Sequence, residues 1–143
     1  MTLKLKIKKL HPDAIIPSYA HEGDAAVDLY SCETITIQAG ERVQIPTGIA
    51  IELPPDYVSY FWDKSGLSHK HGLKTLGGII DAGYRGEYKV GMVNLGKEAY
   101  TIEKGHKVAQ MFIEKRTLLE FVEADELNDG GARGAGGFGS TGK

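Results

Sequence analysis

Apolar and polar residues alternate along most of this 143-residue chain, and turn-forming residues interrupt the alternation every eight to twelve residues. Leu3, Leu5 and Ile7 alternate with lysines near the start. The same period of two recurs in residues 35–37, 43–45, 49–53, 88–92 and 100–102, while 57–62 has the composition of an aromatic strand and 108–113 that of a buried strand. Only 117–127 has a pattern compatible with a helix, and 63–72 is a polar loop with room for one helical turn. Frequent turns between short alternating segments are typical of a sandwich or barrel, so the sequence predicts one all-β domain.

Charge and cysteine content exclude several classes of protein. The net charge of −2 provides no basic field that would attract a nucleic-acid duplex. Cys32 is the only cysteine, so the chain can form no internal disulfide and suits a reducing compartment. No apolar run reaches the length of a membrane span or resembles a signal peptide. We therefore expect a soluble, cytoplasmic protein that binds neither nucleic acid nor a membrane.

The C-terminal residues 128–143 lose the alternation because glycine dominates them. Such a composition is typical of a disordered end, but a linker needs neither Arg133 nor Phe138. Glycines let backbone amides turn toward an anion, an arginine fork matches phosphate oxygens, and an aromatic ring can stack on a base. We therefore predict a β domain over residues 1–127 and a flexible flap over 128–143. In this flap Ser140 and Thr141 add hydroxyl donors and Gly139 adds an amide.

Residues 77–87 are predicted to form a hairpin that turns at Ala82 and Gly83. Asp81 stands beside this turn. It could act as a base or as an orienting carboxylate, with Tyr84 as a platform beside it. Hairpins also carry Asp-x-Gly turns for purely structural reasons, in which case Asp81 only caps the turn.

Three further segments are weaker candidates on residue type alone. Lys64, Ser65 and Gly66 place a cation, a hydroxyl and a glycine in succession, as a phosphate-binding loop would. Gln110 is polar within a strand that otherwise looks buried, and a buried amide needs partners. Asp28 alone would be an ordinary acid at the edge of a strand. The five histidines show no spacing that suits a metal site.

Taken together and in this order, five segments resemble the motifs of the trimeric dUTPase family, the deoxyuridine triphosphate pyrophosphatases. They read A-A-V-D-L, D-K-S-G-L-S, G-G-I-I-D-A-G-Y-R-G, G-H-K-V-A-Q and R-G-A-G-G-F-G-S-T-G, and they extend from about residue 24 to residue 142. The resemblance implies a distorted jelly-roll or β-barrel subunit, assembled as a homotrimer with shared active sites. It also implies Mg²⁺-dependent hydrolysis of dUTP to dUMP and pyrophosphate. That reaction cleans the nucleotide pool and supplies dUMP for dTMP synthesis.

The resemblance also assigns a role to each candidate residue. Asp81 would activate the water that attacks the α-phosphorus and would hold the sugar 3′-hydroxyl, while Tyr84 would leave no room for a 2′-hydroxyl. The hairpin backbone around Gly78 and Lys89 would pair with uracil. Asp28 would meet the Mg²⁺ through water, and Phe138 would lie over the base. The phosphate chain would be bound by Lys64, Ser65, Gly66, Gln110, Arg133, Gly139, Ser140 and Thr141.

Three residues depart from the family pattern: Lys64 replaces an arginine, Ala26 a glycine and His106 an aspartate. Of these, Lys64 matters most, because a lysine cannot form the two-pronged phosphate contact of an arginine. Two other functions stay open. The dCTP deaminases share this fold, but Gly91 stands where they would require a catalytic glutamate. The other is a non-catalytic β protein that binds a nucleotide or a partner, against which Asp81 and the full tail motif argue.

Overall fold

The computed structural model describes residues 2–132 and 134–138. Within them lie eleven β-strands and one short helix, α1 (Ser65–His71), which follows β6. The strands are β1 (Lys6–Lys9), β2 (Val27–Tyr30), β3 (Ile35–Ile37), β4 (Arg42–Pro46), β5 (Ile49–Glu52), β6 (Tyr57–Asp63), β7 (Leu73–Leu76), β8 (Ile79–Asp81), β9 (Lys89–Asn94), β10 (Tyr100–Ile102) and β11 (Lys107–Lys115). The all-β prediction is confirmed.

The strands pair antiparallel in four sheets, with the orders β1-β5, β10-β3, β2-β11-β6-β8 and β4-β9-β7. These sheets stay open, so the described residues form no closed barrel. All four sheets contribute side chains to one apolar core, among them Ile51, Phe61, Val90 and Ile102. Burial of one such side chain contributes about 1.5–3 kcal/mol, so the shared core holds the small sheets together.

Each segment with a period of two overlaps a strand, and in most of them the alternation places the apolar residues on the core side. In β9, for example, Val90 and Met92 are buried while Lys89 is exposed. Strand β7 was not predicted. Its residues alternate between buried and exposed, but the strand has only four residues and comes shortly after the helix. The sequence pattern does not separate so short a strand from the loop before it.

Residues 117–127, whose pattern is compatible with a helix, form neither helix nor strand. The one described helix lies in the polar stretch 63–72, for which the sequence allows one helical turn. It ends at Gly72, whose φ of 72° and ψ of 20° are left-handed. A Cβ at Gly72 would lie 2.7 Å from the backbone nitrogen of Gly96, so a side chain has no space there. In the described part of the chain, no helix has the length and apolar character needed to cross a membrane.

The hairpin predicted over 77–87 is only half right. Its turn exists, since the Tyr84 amide donates to the Asp81 carbonyl at 3.1 Å. The two flanking strands, however, do not pair with each other: β8 pairs with β6, and β9 lies in another sheet. Both edges of β9 are already occupied, by β4 and β7, which leaves no edge for β8.

Candidate active site

Strand β11 brings three of the predicted motifs together. Gln110 lies opposite Asp28 of β2 on one side and opposite Trp62 of β6 on the other. Its side-chain amide donates to the Asp63 carbonyl at 2.9 Å, which satisfies the polar group that the sequence pattern had singled out. Lys64 and Ser65 follow directly at the end of β6. The pairing of β2, β11 and β6 thus collects residues that are far apart in sequence.

Asp28 is the buried centre of this group, with a relative exposure of only 3%. The Lys64 Nζ donates to its Oδ1 at 2.5 Å, and the Lys107 Nζ lies 2.7 Å from its Oδ2. Oδ2 has no well-directed hydrogen bond, so the contact with Lys107 is mainly ionic. We call Asp28, Lys64, Ser65, Lys107 and Gln110 the Asp28 cluster. Two lysines against one aspartate give it a net positive charge, which suits an anion.

The protonation of Asp28 follows from these contacts. Burial raises the pKa of its carboxyl, but Lys107 and Lys64 more than offset this effect, and the pKa lies below its ordinary value. Asp28 in turn raises the pKa of Lys107. Both partners are therefore charged at neutral pH. Sequence reasoning missed Lys107, although it lies within the fourth motif, because its neighbour across the sheet cannot be read from local sequence.

Asp63 fixes the end of β6, from which Lys64 extends. Its Oδ1 accepts hydrogen bonds from the Thr75 amide at 2.7 Å and the Thr75 hydroxyl at 2.6 Å. Its Oδ2 accepts one from the Lys74 Nζ at 2.8 Å. Burial raises the pKa of Asp63, but Lys74 and Thr75 lower it by more. The pKa therefore lies below its ordinary value. This charged anchor holds the candidate phosphate loop against β7 and was also missed from sequence.

The second candidate region is the Asp81 turn, residues 81–84, at the end of edge strand β8. Asp81 and Tyr84 are both exposed to solvent. The Tyr84 hydroxyl donates to the Glu87 carbonyl at 2.9 Å, and its ring lies 6.2 Å from the ring of the buried Tyr88. Gly86 lies against this ring, since a Cβ there would come within 2.6 Å of the Tyr84 Cζ. The turn therefore holds an accessible carboxylate next to a supported aromatic ring.

Gly78 and Lys89 do not form the paired frame that the resemblance implied. Gly78 adopts a φ of 108° and packs on Phe61, whose amide donates to the Gly78 carbonyl at 2.8 Å. Lys89 begins β9 in another sheet, where its Nζ lies 3.7 Å from Glu87. The strand pairing needed to place these two backbones side by side is absent between β8 and β9.

A groove of about 880 Å³ opens beside Asp81. Its walls combine apolar residues such as Leu53 and Val58 with four cationic side chains, those of Lys4, Lys6, Arg85 and Arg116. Neither Tyr84 nor any member of the Asp28 cluster lines this groove.

The Asp28 cluster and the Asp81 turn lie at opposite ends of β6. Val58 is paired with Asp81, and Lys64 follows six residues later along the same strand direction. At a rise of about 3.3 Å per residue this separates them by about 20 Å. One chain therefore does not bring the candidate base and the candidate phosphate ligands around the same substrate.

The C-terminal part of the chain contributes no described contact to either region. Phe138 is fully exposed with a φ of 49°, and Arg133, Gly139, Ser140 and Thr141 lie outside the described residues. The preceding stretch 117–127 exposes five large apolar side chains, each by more than two thirds: Leu118, Leu119, Phe121, Val122 and Leu127.

The described side chains offer no ready-made cage for a metal ion. No group of three or more histidine, cysteine, aspartate or glutamate residues in the described ranges could hold one. Asp28 presents oxygen atoms of the type that Mg²⁺ prefers, but ammonium groups already contact both. Mg²⁺ fits here only if most of its ligands come from waters and from a bound phosphate chain.

Comparisons with known proteins agree on one family. The family model described as dUTPase matches residues 12–142. A deoxyuridine 5′-triphosphate nucleotidohydrolase of Clostridium kluyveri is 49% identical over 98% of this chain and 99% of its own length. One of the same name from Thermobifida fusca is 45% identical over 99% of this chain and 80% of its own length.

Solved structures give the same family. A dUTPase of Staphylococcus bacteriophage 80alpha, solved with dUpNHpp, superposes with a TM-score of 0.90 at 29% identity and covers 99% of this chain and 100% of its own. A dUTPase from phage phi11 of S. aureus, described with a structural Mg(II) ion, has a TM-score of 0.80 at 27% identity over 87% of this chain and 98% of its own.

Proposed function

The chain belongs to the dUTPase family and hydrolyses dUTP, and we propose that each active site combines the Asp81 turn of one copy with the Asp28 cluster of another. The observation behind this proposal is the separation of about 20 Å between the two groups along β6. The acceptor for a proton and the cations for phosphate are both present, but at opposite ends of one subunit.

Asp81 acts as the general base in this proposal. Its carboxylate accepts a proton from a water molecule, whose oxygen attacks the α-phosphorus, and pyrophosphate leaves as dUMP forms. A base needs an accessible carboxylate at a fixed place, and the turn hydrogen bond from Tyr84 to the Asp81 carbonyl fixes the backbone beside it. The same carboxylate holds the 3′-hydroxyl of the sugar.

Tyr84 selects the deoxyribose. Its ring is held by the hydroxyl contact to the Glu87 carbonyl and by Tyr88 behind it, so it cannot easily give way to a 2′-hydroxyl. Gly78 and Lys89 supply backbone groups for uracil. In the single subunit β8 and β9 do not pair with each other. The backbone amides and carbonyls of Gly78 and Lys89 must therefore be brought together when substrate binds or subunits assemble.

The Asp28 cluster binds the triphosphate. Lys64, Ser65, Gly66 and Gln110 contribute donors, and the net positive charge of the cluster attracts the phosphate chain. Mg²⁺ bound to the triphosphate supplies further neutralisation of its charge, with Asp28 meeting the ion through water. Arg133, Gly139, Ser140 and Thr141 complete the phosphate contacts from the flap, 128–143, and Phe138 covers the base.

A homotrimer satisfies both the divided site and the exposed tail. Closed threefold symmetry brings one end of each subunit against the other end of its neighbour and creates three equivalent sites. The apolar stretch 117–127 is too exposed for an isolated soluble chain, which favours a partner surface. Four acidic residues within it, and Asp129 after it, would match the cationic groove beside Asp81 of another copy.

Within the cell we propose a cytoplasmic role in nucleotide-pool sanitation and dUMP supply. Deamination of dCTP is not favoured, because Gly91 stands in place of the required glutamate. The structure adds a steric cost: a Cβ at Gly91 would lie 3.0 Å from the Leu76 carbonyl oxygen, so a side chain there would require the β7 backbone to move by a few tenths of an ångström.

Pyrophosphate release from dUTP, dCTP and UTP, by the wild-type protein and by Asp81→Asn, tests the assignment of the base. We expect wild-type turnover with dUTP only. Loss of a positioned base should lower kcat by about 10²–10⁴-fold in Asp81→Asn, while dUTP still binds with Mg²⁺. If Asp81→Asn kept more than half of the wild-type kcat, Asp81 would not be the base.

A further inference from the structure

Lys107 belongs to the Asp28 cluster but is not among the residues proposed to donate to the triphosphate, yet it contacts the buried centre of the phosphate site. Its Nζ lies 2.7 Å from one oxygen of Asp28, and the Lys64 Nζ contacts the other. The two lysine side chains are 42% and 26% exposed, respectively, whereas that of Asp28 is 5% exposed. Both cations thus reach solvent, and only the anion is enclosed.

Phosphate binding creates a difficulty for this arrangement. A Lys64 ammonium group that moves toward a phosphate oxygen lengthens its contact of 2.5 Å with Asp28. If Lys64 were the only partner, its departure would leave an enclosed carboxylate without a compensating charge, which is strongly unfavourable. Because each lysine contacts a different oxygen, Lys107 can stay in place when Lys64 leaves.

We propose that Lys107 is a positioning residue that keeps Asp28 neutralised and thereby releases Lys64 to the triphosphate. The proposal rests on the proposed phosphate contact of Lys64. It differs from a direct phosphate contact by Lys107, since Lys107 here acts only through Asp28 and Lys64. Register supports this reading: a register shift between Lys107 and Ala109 places Lys107 opposite Tyr30, which is two residues from Asp28 and therefore on the same face of β2.

A double-mutant cycle separates these roles. The variants are Lys107→Met, Lys64→Met and both together, with Lys107→Arg to restore the charge. Lys104→Met is the control, since Lys104 lies three residues earlier and pairs at 3.0 Å with the exposed Asp13, away from the cluster. Each protein is measured for kcat and KM with dUTP and Mg²⁺, and for thermal unfolding without ligand.

We expect Lys107→Met to raise KM by about tenfold, equivalent to about 1.4 kcal/mol, with kcat within about twofold of wild type. Lys107→Arg and Lys104→Met should leave KM within about twofold. The double variant should have the KM of Lys64→Met alone, because Lys107 has nothing left to release.

Three results would overturn the proposal. Multiplicative increases in KM would mean that Lys107 contacts the substrate itself. An unchanged KM in Lys107→Met would mean that Lys64 can move from Asp28 to the triphosphate without the charge of Lys107. Loss of folding in Lys107→Met, and also in Lys107→Gln made as a second neutral variant, would make the role structural. An unchanged KM in Lys64→Met would instead refute the phosphate contact of Lys64, while the Asp81→Asn assay would still report on the hydrolysis separately.

Discussion

Gly86 should determine how well the enzyme distinguishes dUTP from UTP, although it need not touch either nucleotide. A Cβ at this position would lie 2.6 Å from Cζ and 3.0 Å from Cε2 of Tyr84. Carbon atoms in ordinary contact are about 3.5–4.0 Å apart, so Gly86→Ala must displace the Tyr84 ring by about 1 Å. The backbone itself is not strained, because the φ of Gly86 is not positive.

The size of the effect follows from the position of the ring. A displacement of about 1 Å at a substrate-positioning group can cost about 10²-fold in rate. Discrimination that depends on the fit of one small group is worth about 1–3 kcal/mol, or about 10–200-fold. We therefore expect the ratio of kcat/KM for dUTP to that for UTP to fall at least tenfold. Stability should change little, because Tyr84 is 45% exposed and water can replace its hydrogen bond to Glu87.

The assay measures pyrophosphate release with both nucleotides for wild type, Gly86→Ala and Gly83→Ala. Gly83 lies three residues earlier, within the Asp81 turn, and has no positive φ; an added Cβ there meets nothing within 4 Å, which makes it the matched control. An unchanged dUTP-to-UTP ratio in a folded Gly86→Ala protein would refute the link between the Tyr84 ring and sugar selection. An equal loss in Gly83→Ala would show that any substitution in the turn has this effect.

Three further predictions concern the flap, the phosphate loop and pH. Phe138→Ala, or truncation before Arg133, should leave thermal unfolding almost unchanged, because Phe138 is fully exposed, and should reduce turnover sharply. If truncation melts the protein but leaves activity per folded molecule normal, the tail is structural. Lys64→Arg should retain activity and lower or preserve the KM for dUTP, because arginine offers two parallel donors; an inactive protein would contradict the alignment of this loop. Asp28 has a lowered folded pKa, so its charge contributes stability that is present above its unfolded value of about 3.8 and is lost as pH falls through the folded value. Thermal unfolding between pH 7 and pH 3 should therefore show a weaker pH dependence for Asp28→Asn than for wild type, and parallel curves would contradict this.

The strands and the family could be predicted from sequence, because both depend on local patterns. A period of two marks most strands that have one face in the core, although not β7, and five motifs with fixed residue types mark the family. The turn at Ala82 and Gly83 was likewise local, since it needs only a few neighbouring residues. The pairing of the strands after this turn is not local. Strand β9 pairs with β4 and β7, and no local pattern shows that both its edges are occupied.

The site could be predicted as a set of residues but not as an arrangement. The resemblance places Asp28 near Mg²⁺. Its two lysine partners can be identified only from the pairing of β2, β11 and β6, which brings them to Asp28. Residues 117–127 form no helix although their pattern is compatible with one; their large apolar side chains are exposed, and a short helix is seldom stable without packing. The arrangement of the site thus depends on strand pairing, which local sequence patterns do not show.

Restoration of activity in mixed trimers tests the divided active site most directly. One inactive chain carries Asp81→Asn, and the other carries Lys64→Met with Ser65→Ala. The two are refolded together in equal amounts, and mass spectrometry verifies that hybrid trimers have formed. If base and phosphate ligands come from different chains, a site is intact when the first kind of chain supplies the cluster and the second supplies Asp81. Random assembly gives this combination in about a quarter of the sites, so about a quarter of wild-type activity should return. Activity no higher than that of the separate variants, in samples that contain hybrids, would contradict the shared site.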